Sequence, residues 1–150
     1  MRAILLPAIT SALVLIGCFP YGSDLLRDAE QLSRQGKYEG AIAAYRSHMD
    51  SRLAVIERPD WENPYFYLLL IGDVYLGKGD AEKALESYEE AERNGVHESL
   101  VSDRYRSTAA WHEERGELQK AFDILTRYRS RDTLLFDSML DRIARAMTKQ

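Results

Sequence analysis

Residues 71–91 read IGDVYLGKGDAEKALESYEEA, and the centre of this stretch decides the fold. Helical patterns lie on both sides of Gly77-Lys78-Gly79. Leu68, Ile71, Gly72 and Tyr75 precede it at three- and four-residue spacing; Ala84, Leu85, Tyr88 and Ala91 follow it in the same way. So few residues separate the patterns that the two helices must fold back antiparallel through a tight turn. Gly79 can adopt the left-handed backbone that ends the first helix. Asp80 is placed to cap the second. The small Gly72 and Ala84 permit close approach and are expected to face each other where the helices cross.

Outward from this hairpin, the same arrangement occurs twice more. Gly36-Lys37-Tyr38 leads to Ala41, Ile42 and Tyr45, and Gly116-Glu117-Leu118 leads to Ala121, Phe122, Leu125 and Tyr128. In all three copies the glycine stands five residues before the alanine and nine before the large residue. Units of this size bury their apolar faces by stacking on one another. The copies, at about residues 22–55, 65–98 and 102–135, resemble tetratricopeptide repeats. The middle copy is the strongest match, with Gly72, Tyr75, Ala84, Tyr88 and Ala91 at the family's signature positions. The first departs at Asp28, where the family prefers an apolar residue, and at His48, where it prefers a small one. The third has Tyr105 and Ala109 in its first helix, with Trp111 beside them.

The resemblance implies an all-α fold, a right-handed superhelix of helical hairpins with about three repeats over residues 23–131. The C-terminal segment, 132–150, reads as a capping helix. Leu135, Phe136, Met139, Leu140, Ile143 and Met147 keep helical spacing after a capping Asp132. Seven helices and no strands are expected. The glycine intervals of 43 and 37 residues exceed a regular 34, and the first excess falls in DSRLAVIERPDWENPYF, residues 50–66. Leu53, Val55 and Ile56 suggest that the second helix runs on to about Glu57. Pro59 and Pro64 then bracket a loop, and Asn94-Gly95 ends the middle repeat.

No catalytic or metal-binding spacing is evident along the chain. His48, His97 and His112 have no metal-ligand spacing between them, and no phosphate-binding glycine loop or nucleophile elbow occurs. Glu89 and Glu90 lie on a solvated helix face, where Glu89 and Arg93 are spaced for mutual support. The chain therefore reads as a non-enzyme with no cofactor and no metal. Its net charge of −4 gives no clustered basic surface for nucleic acid.

Members of the resembled family bind peptides in a groove lined by their first helices. Carried over by register, that groove comprises Leu26, Glu30 and Ser33, then Phe66, Leu69, Asp73 and Leu76, then Arg106, Ala110 and Glu113. Arg106 alone opposes Glu30, Asp73 and Glu113, so the Lys/Asn/Arg clamp some members use for a C-terminal carboxylate is not expected. An apolar centre with an acidic rim suits an amphipathic helix or a partly basic segment. Trp61 and Tyr65, with Phe66 and Tyr67, cluster at the inserted loop. They read either as packing at repeat junctions or as an interaction loop beside the groove.

The N-terminus has its own logic. Met1-Arg2 precedes a stretch without charge from Ala3 to Ile16, too short for a spanning helix of about 20 residues. It ends Leu15-Ile16-Gly17-Cys18 with the only cysteine, so no internal disulfide can form. This junction resembles the bacterial lipobox. The resemblance implies a lipoprotein signal peptide over 1–17, cleavage before Cys18, and acyl chains on Cys18. An ordinary signal peptide or an uncleaved anchor with an incidental cysteine is the competing reading. Residues 18–22 would be the lipidated cysteine and a tether spanning roughly 15 Å. Phe19, rather than Asp, after the cysteine points to the outer membrane, facing the periplasm.

Together these readings describe a lipid-anchored adaptor or assembly scaffold of the bacterial cell envelope, whose partner is an envelope protein or peptide segment. The alternatives are a regulatory subunit of an envelope enzyme complex and a self-associating structural module. Cys18→Ser is expected to abolish incorporation of a palmitate analogue and to release the protein from the membrane fraction. Continued labelling and membrane fractionation of that variant would exclude Cys18 as the acyl acceptor.

Overall fold

The structure, a computed structural model, describes residues 22–148. Cys18, the signal-like segment and residues 19–21 lie outside the described residues. Seven α-helices and no strand occur among the described residues: α1 (Gly22–Arg34), α2 (Tyr38–Leu53), α3 (Tyr67–Lys78), α4 (Ala81–Arg93), α5 (Glu98–Glu114), α6 (Leu118–Tyr128) and α7 (Thr133–Met147). Each helix packs chiefly on its sequence neighbours, and α3 also touches α5. The fold is all-α: three hairpins, α1/α2, α3/α4 and α5/α6, with α7 laid against α6.

The turns form for local reasons. Gly79 has φ of 94°. Its N–H donates to the Leu76 carbonyl at 3.0 Å, and the Asp80 N–H donates to the Tyr75 carbonyl at 2.9 Å. This pair of bonds satisfies carbonyls that the helix end would leave open. The same pair closes the helices before Gly36, Gly95 and Gly116, each also at positive φ. Asp80 and Asp132 accept from the Lys83 and Leu135 N–H groups, each at 3.2 Å, and so cap α4 and α7 as expected.

This connectivity gives the stack two different edges. The tight turns at Gly36, Gly79 and Gly116 form one; Lys78 pairs with Glu39 across two of them. The other edge carries the start of α1, the long α2–α3 loop, the α4–α5 turn and the α6–α7 connection. Asn63 Nδ2 donates to the Asn94 carbonyl at 3.0 Å, and Arg131 pairs with Glu92 at 2.9 Å, so this edge is also continuous.

Two expectations change. First, α2 ends at Leu53 rather than near Glu57. The Val55 N–H turns back to the Arg52 carbonyl at 3.2 Å, and Arg58 Nη1 donates to the same carbonyl at 3.2 Å. Ile56 is 98% exposed, so no apolar surface rewards another helical turn. Second, Gly72 faces Tyr88 rather than Ala84. A Cβ on Gly72 would lie 2.2 Å from Tyr88 Cε1. Ala84 is fully buried, but the Tyr88 ring fills the space opposite Gly72.

Tyr88 begins an aromatic run through the core. It meets Tyr105 edge-on at 6.4 Å between centroids, and Tyr105 stacks on Tyr128 at 3.6 Å with the planes 4° apart. Leu69, Ile71, Leu125, Phe136 and Ile143 are fully buried around it.

The two glycines of α3 should respond oppositely to a methyl group. Gly72→Ala should destabilise by about 1–3 kcal/mol through overpacking against Tyr88. Gly77→Ala meets nothing within 4 Å, and should stabilise by up to about 1 kcal/mol through helix propensity. Thermal melts should separate the variants by several degrees. Equal melting temperatures would contradict the α3–α4 register.

Candidate functional site

Five of the ten expected groove positions line two shallow depressions. Glu30, Ser33 and Asp73 line the first, about 270 Å³, together with Arg34, Tyr45, Leu70 and Val74. Arg106 and Ala110 line the second, about 360 Å³, with Asp103, Arg104, Ser107 and Met139. Leu69 is fully buried and belongs to the core; its neighbour Leu70 supplies the apolar surface of the first depression. Leu26 and Leu76 are half-buried against the core. Phe66 lines the loop cleft instead.

Between the depressions stands a polar cluster drawn from three helices. Asp73 on α3 accepts from the Tyr88 hydroxyl of α4 at 2.9 Å. It also receives both Nε and Nη2 of Arg104 on α5, each at 3.0 Å at closest. A fork of this kind is directional as well as charged. Burial, aided by the carboxylate, pushes the Tyr88 hydroxyl far above its ordinary pKa. It therefore remains a proton donor at any physiological pH.

The acidic rim read from the sequence is charge-balanced in three dimensions. Glu30 pairs with Arg34 at 3.3 Å, Asp73 with Arg104, and Glu113 with Arg142 of α7 at 2.6 Å. Arg106 itself pairs with Asp103, and its Nε is buried without a hydrogen-bond partner. Sequence reasoning missed Arg34, Arg104 and Arg142. Arg34 was within its reach, four residues from Glu30 on one helix. Arg104 and Arg142 lie 31 and 29 residues from their partners, and no local spacing marks them. The strip is thus not an acidic trough that selects a basic segment.

The inserted loop is tightly fastened. Arg52 holds Glu62 by two hydrogen bonds of 2.6 Å. That contact keeps the Glu62 carboxyl below the usual carboxylate range. Asn63 Oδ1 accepts from the Tyr65 N–H at 3.0 Å while its amide reaches Asn94, so one side chain caps the following 3-10 turn (Pro64–Phe66) and ties the loop to α4. His48 Nε2 meets the Tyr67 hydroxyl at 2.9 Å. Trp61, 84% exposed, stands out from this frame. Together with Tyr65, Phe66, Val96 and Leu100 it lines a cleft of about 670 Å³.

His97 caps α5, and His112 pairs with Glu117. Among the described residues no group of three or more His, Cys, Asp or Glu side chains could hold a metal ion, and no helix is long and apolar enough to cross a membrane. No known protein-family model matches the chain, and no curated protein is similar to it in sequence.

The loop frame gives a signed pH dependence. Burial first, then the Arg52 charge, lowers the His48 pKa. The unfolded chain therefore takes up this proton first. Stability from His48 is complete above its ordinary pKa of about 6.5 and declines as pH falls through that value to the lower folded one. Glu62 contributes in a separate window, above about 4.3 and lost only as pH drops through its depressed folded value. Melting temperatures should fall between about pH 7.5 and 5.5, and His48→Gln should reduce that fall while Glu62→Gln leaves it in place. An unaltered pH response in His48→Gln would remove His48 from this account.

Proposed function

We infer that this chain is a lipid-anchored adaptor of the bacterial cell envelope, built of tetratricopeptide-type repeats, that holds a protein segment near the membrane. The observation that carries this reading is the repetition of one hairpin at one register, each copy closed by a glycine turn and packed through alanine and a large residue. Such stacks present an extended surface with no single catalytic centre. The strip along α1, α3 and α5 is the binding surface in this reading. Its charges are already paired, so an amphipathic helix or extended segment would bind mainly through apolar contact and hydrogen bonds. The Leu15-Ile16-Gly17-Cys18 junction supplies the membrane attachment, since two or more acyl chains hold a protein stably where one does not.

Site-specific photo-crosslinking tests the surface. Crosslinkers at Ser33 and Ala110, one in each depression, should trap the same envelope protein in living cells, and one at the exposed Glu86 on α4 should trap none. Crosslinking from Glu86 but from neither depression would move the binding surface off α1, α3 and α5.

A further inference from the structure

The exposed apolar side chains of this protein are not scattered. Among the described residues, six large hydrophobic side chains stand exposed: Ile56 (98%), Trp61 (84%), Leu134 (81%), Leu135 (42%), Leu100 (38%) and Phe66 (37%). Ile56, Trp61 and Phe66 belong to the α2–α3 connection. Leu100 lies in the first turn of α5, and Leu134 and Leu135 lie in the first turn of α7. By the antiparallel pairing of the hairpins, all six occupy one edge. Among the described residues the opposite edge has none; there Trp111 is partly buried, with the Arg115 guanidinium 3.8 Å from its ring centre.

The apolar edge is also where α1 begins. The segment outside the described residues ends at this edge, and only four Cα–Cα steps separate Cys18 from Gly22. A fully extended chain covers at most about 14 Å in that length. Acyl chains on Cys18 would therefore hold this edge against the headgroups, while the tight-turn edge points away. The charges here do not form a basic patch. Arg131 pairs with Glu92, Arg129 with Asp137 and Arg52 with Glu62, so attraction to anionic lipid is not the driving force. What the edge offers is an indole, which favours the headgroup boundary, and branched aliphatic side chains of the kind that bury just beneath it on an interfacial apolar face.

We propose that this edge is a membrane-contact surface: Trp61 and Ile56, with Leu100 and Leu134 beside them, rest in the interfacial layer of the bilayer that carries the Cys18 anchor. The proposal rests on the anchoring reading above. Contact at several points along the edge fixes the orientation of the stack, so that the helices stand on the membrane and the strip along α1, α3 and α5 opens sideways. A lipid anchor alone would leave the domain free to rotate about its tether.

The chain's two tryptophans provide the test, because they lie at opposite edges. The full-length protein, purified with its lipid from a bacterial host, is reconstituted into phosphatidylcholine vesicles whose acyl chains are brominated near the headgroup end. Flotation and palmitate-analogue labelling report the anchor independently. In the Trp111→Phe variant, the remaining Trp61 should lose most of its emission to the bromines and shift to shorter wavelength. In Trp61→Phe, the remaining Trp111 should do neither. Should Trp111→Phe misfold, an environment-sensitive dye on Leu134→Cys, compared with one on Glu114→Cys at the opposite edge, reads the same difference. A protein that labels and floats, yet shows no greater quenching of Trp61 than of Trp111, overturns the membrane-contact edge and leaves the anchor standing; shielding of Trp61 by a protein partner or a second copy would give this result. A protein that neither labels nor floats overturns the anchor and the proposal together.

Discussion

A buried tyrosine must bring a partner for its hydroxyl into the core with it, and this structure is organised around three such demands. Tyr88, Tyr105 and Tyr128 form one continuous aromatic run, and their hydroxyls donate to Asp73, Glu92 and Glu89. Each ring packs apolar area while its oxygen reaches a carboxylate at the margin of the core. Burial and the neighbouring negative charge push all three hydroxyls up, which keeps them donors. The carboxylates in turn require cations. Asp73 takes Arg104, Glu92 takes Arg131 and Glu89 takes Arg127. A packing requirement in the interior thereby sets the charge pattern on the surface.

That chain of consequences explains the middle helix. α3 lies between α2 and α4 and also meets α5, so it is buried on more than one side. Leu68, Leu69, Ile71, Gly72 and Val74 are all buried. Gly72 is required because the Tyr88 ring occupies the place a side chain would take. Once that ring is seated, its hydroxyl falls next to Asp73, and Asp73 fixes Arg104 between the two depressions. The geometry of the strip along α1, α3 and α5 and that of the core are one problem here.

The division between what was legible in the sequence and what was not follows the range of the interactions. Glycine turns and aspartate caps are closed by bonds between residues at most five apart, and Gly36, Gly79, Gly95, Gly116, Asp80 and Asp132 all read correctly. The apolar spacing likewise showed seven helices. The end of α2 was misread because Leu53, Val55 and Ile56 look like a helical continuation. The stopping signal is an Arg58 side chain reaching back to a carbonyl, together with the lack of any surface for Ile56 to cover. Leu69 was assigned to the groove from register alone, but the added burial of α3 against its neighbours is a tertiary fact. The charge of the strip was misjudged in part for the same reason, since Arg104 and Arg142 arrive from other helices, whereas Arg34 stands one turn from Glu30 on the same helix.

The two edges differ for a reason already present in the turns. A hairpin closed by a left-handed glycine and two backbone bonds has a fixed length, and an insertion there would break both bonds and the helix end they satisfy. The connections between hairpins carry no such constraint on the α2–α3 side, and that is where the first glycine interval takes up its excess length. Long loops are tolerated where their closure costs little and their backbone can be satisfied. Here Arg52, Asn63 and Arg58 satisfy it. An inserted segment held this firmly can display Trp61 and Ile56 to the outside without collapsing onto the core. The variation in length, and with it the exposed Ile56 and Trp61, therefore falls in the one long connection that no left-handed glycine closes. The asymmetry of the two edges thus lies mainly in the α2–α3 connection, the longest link between consecutive helices.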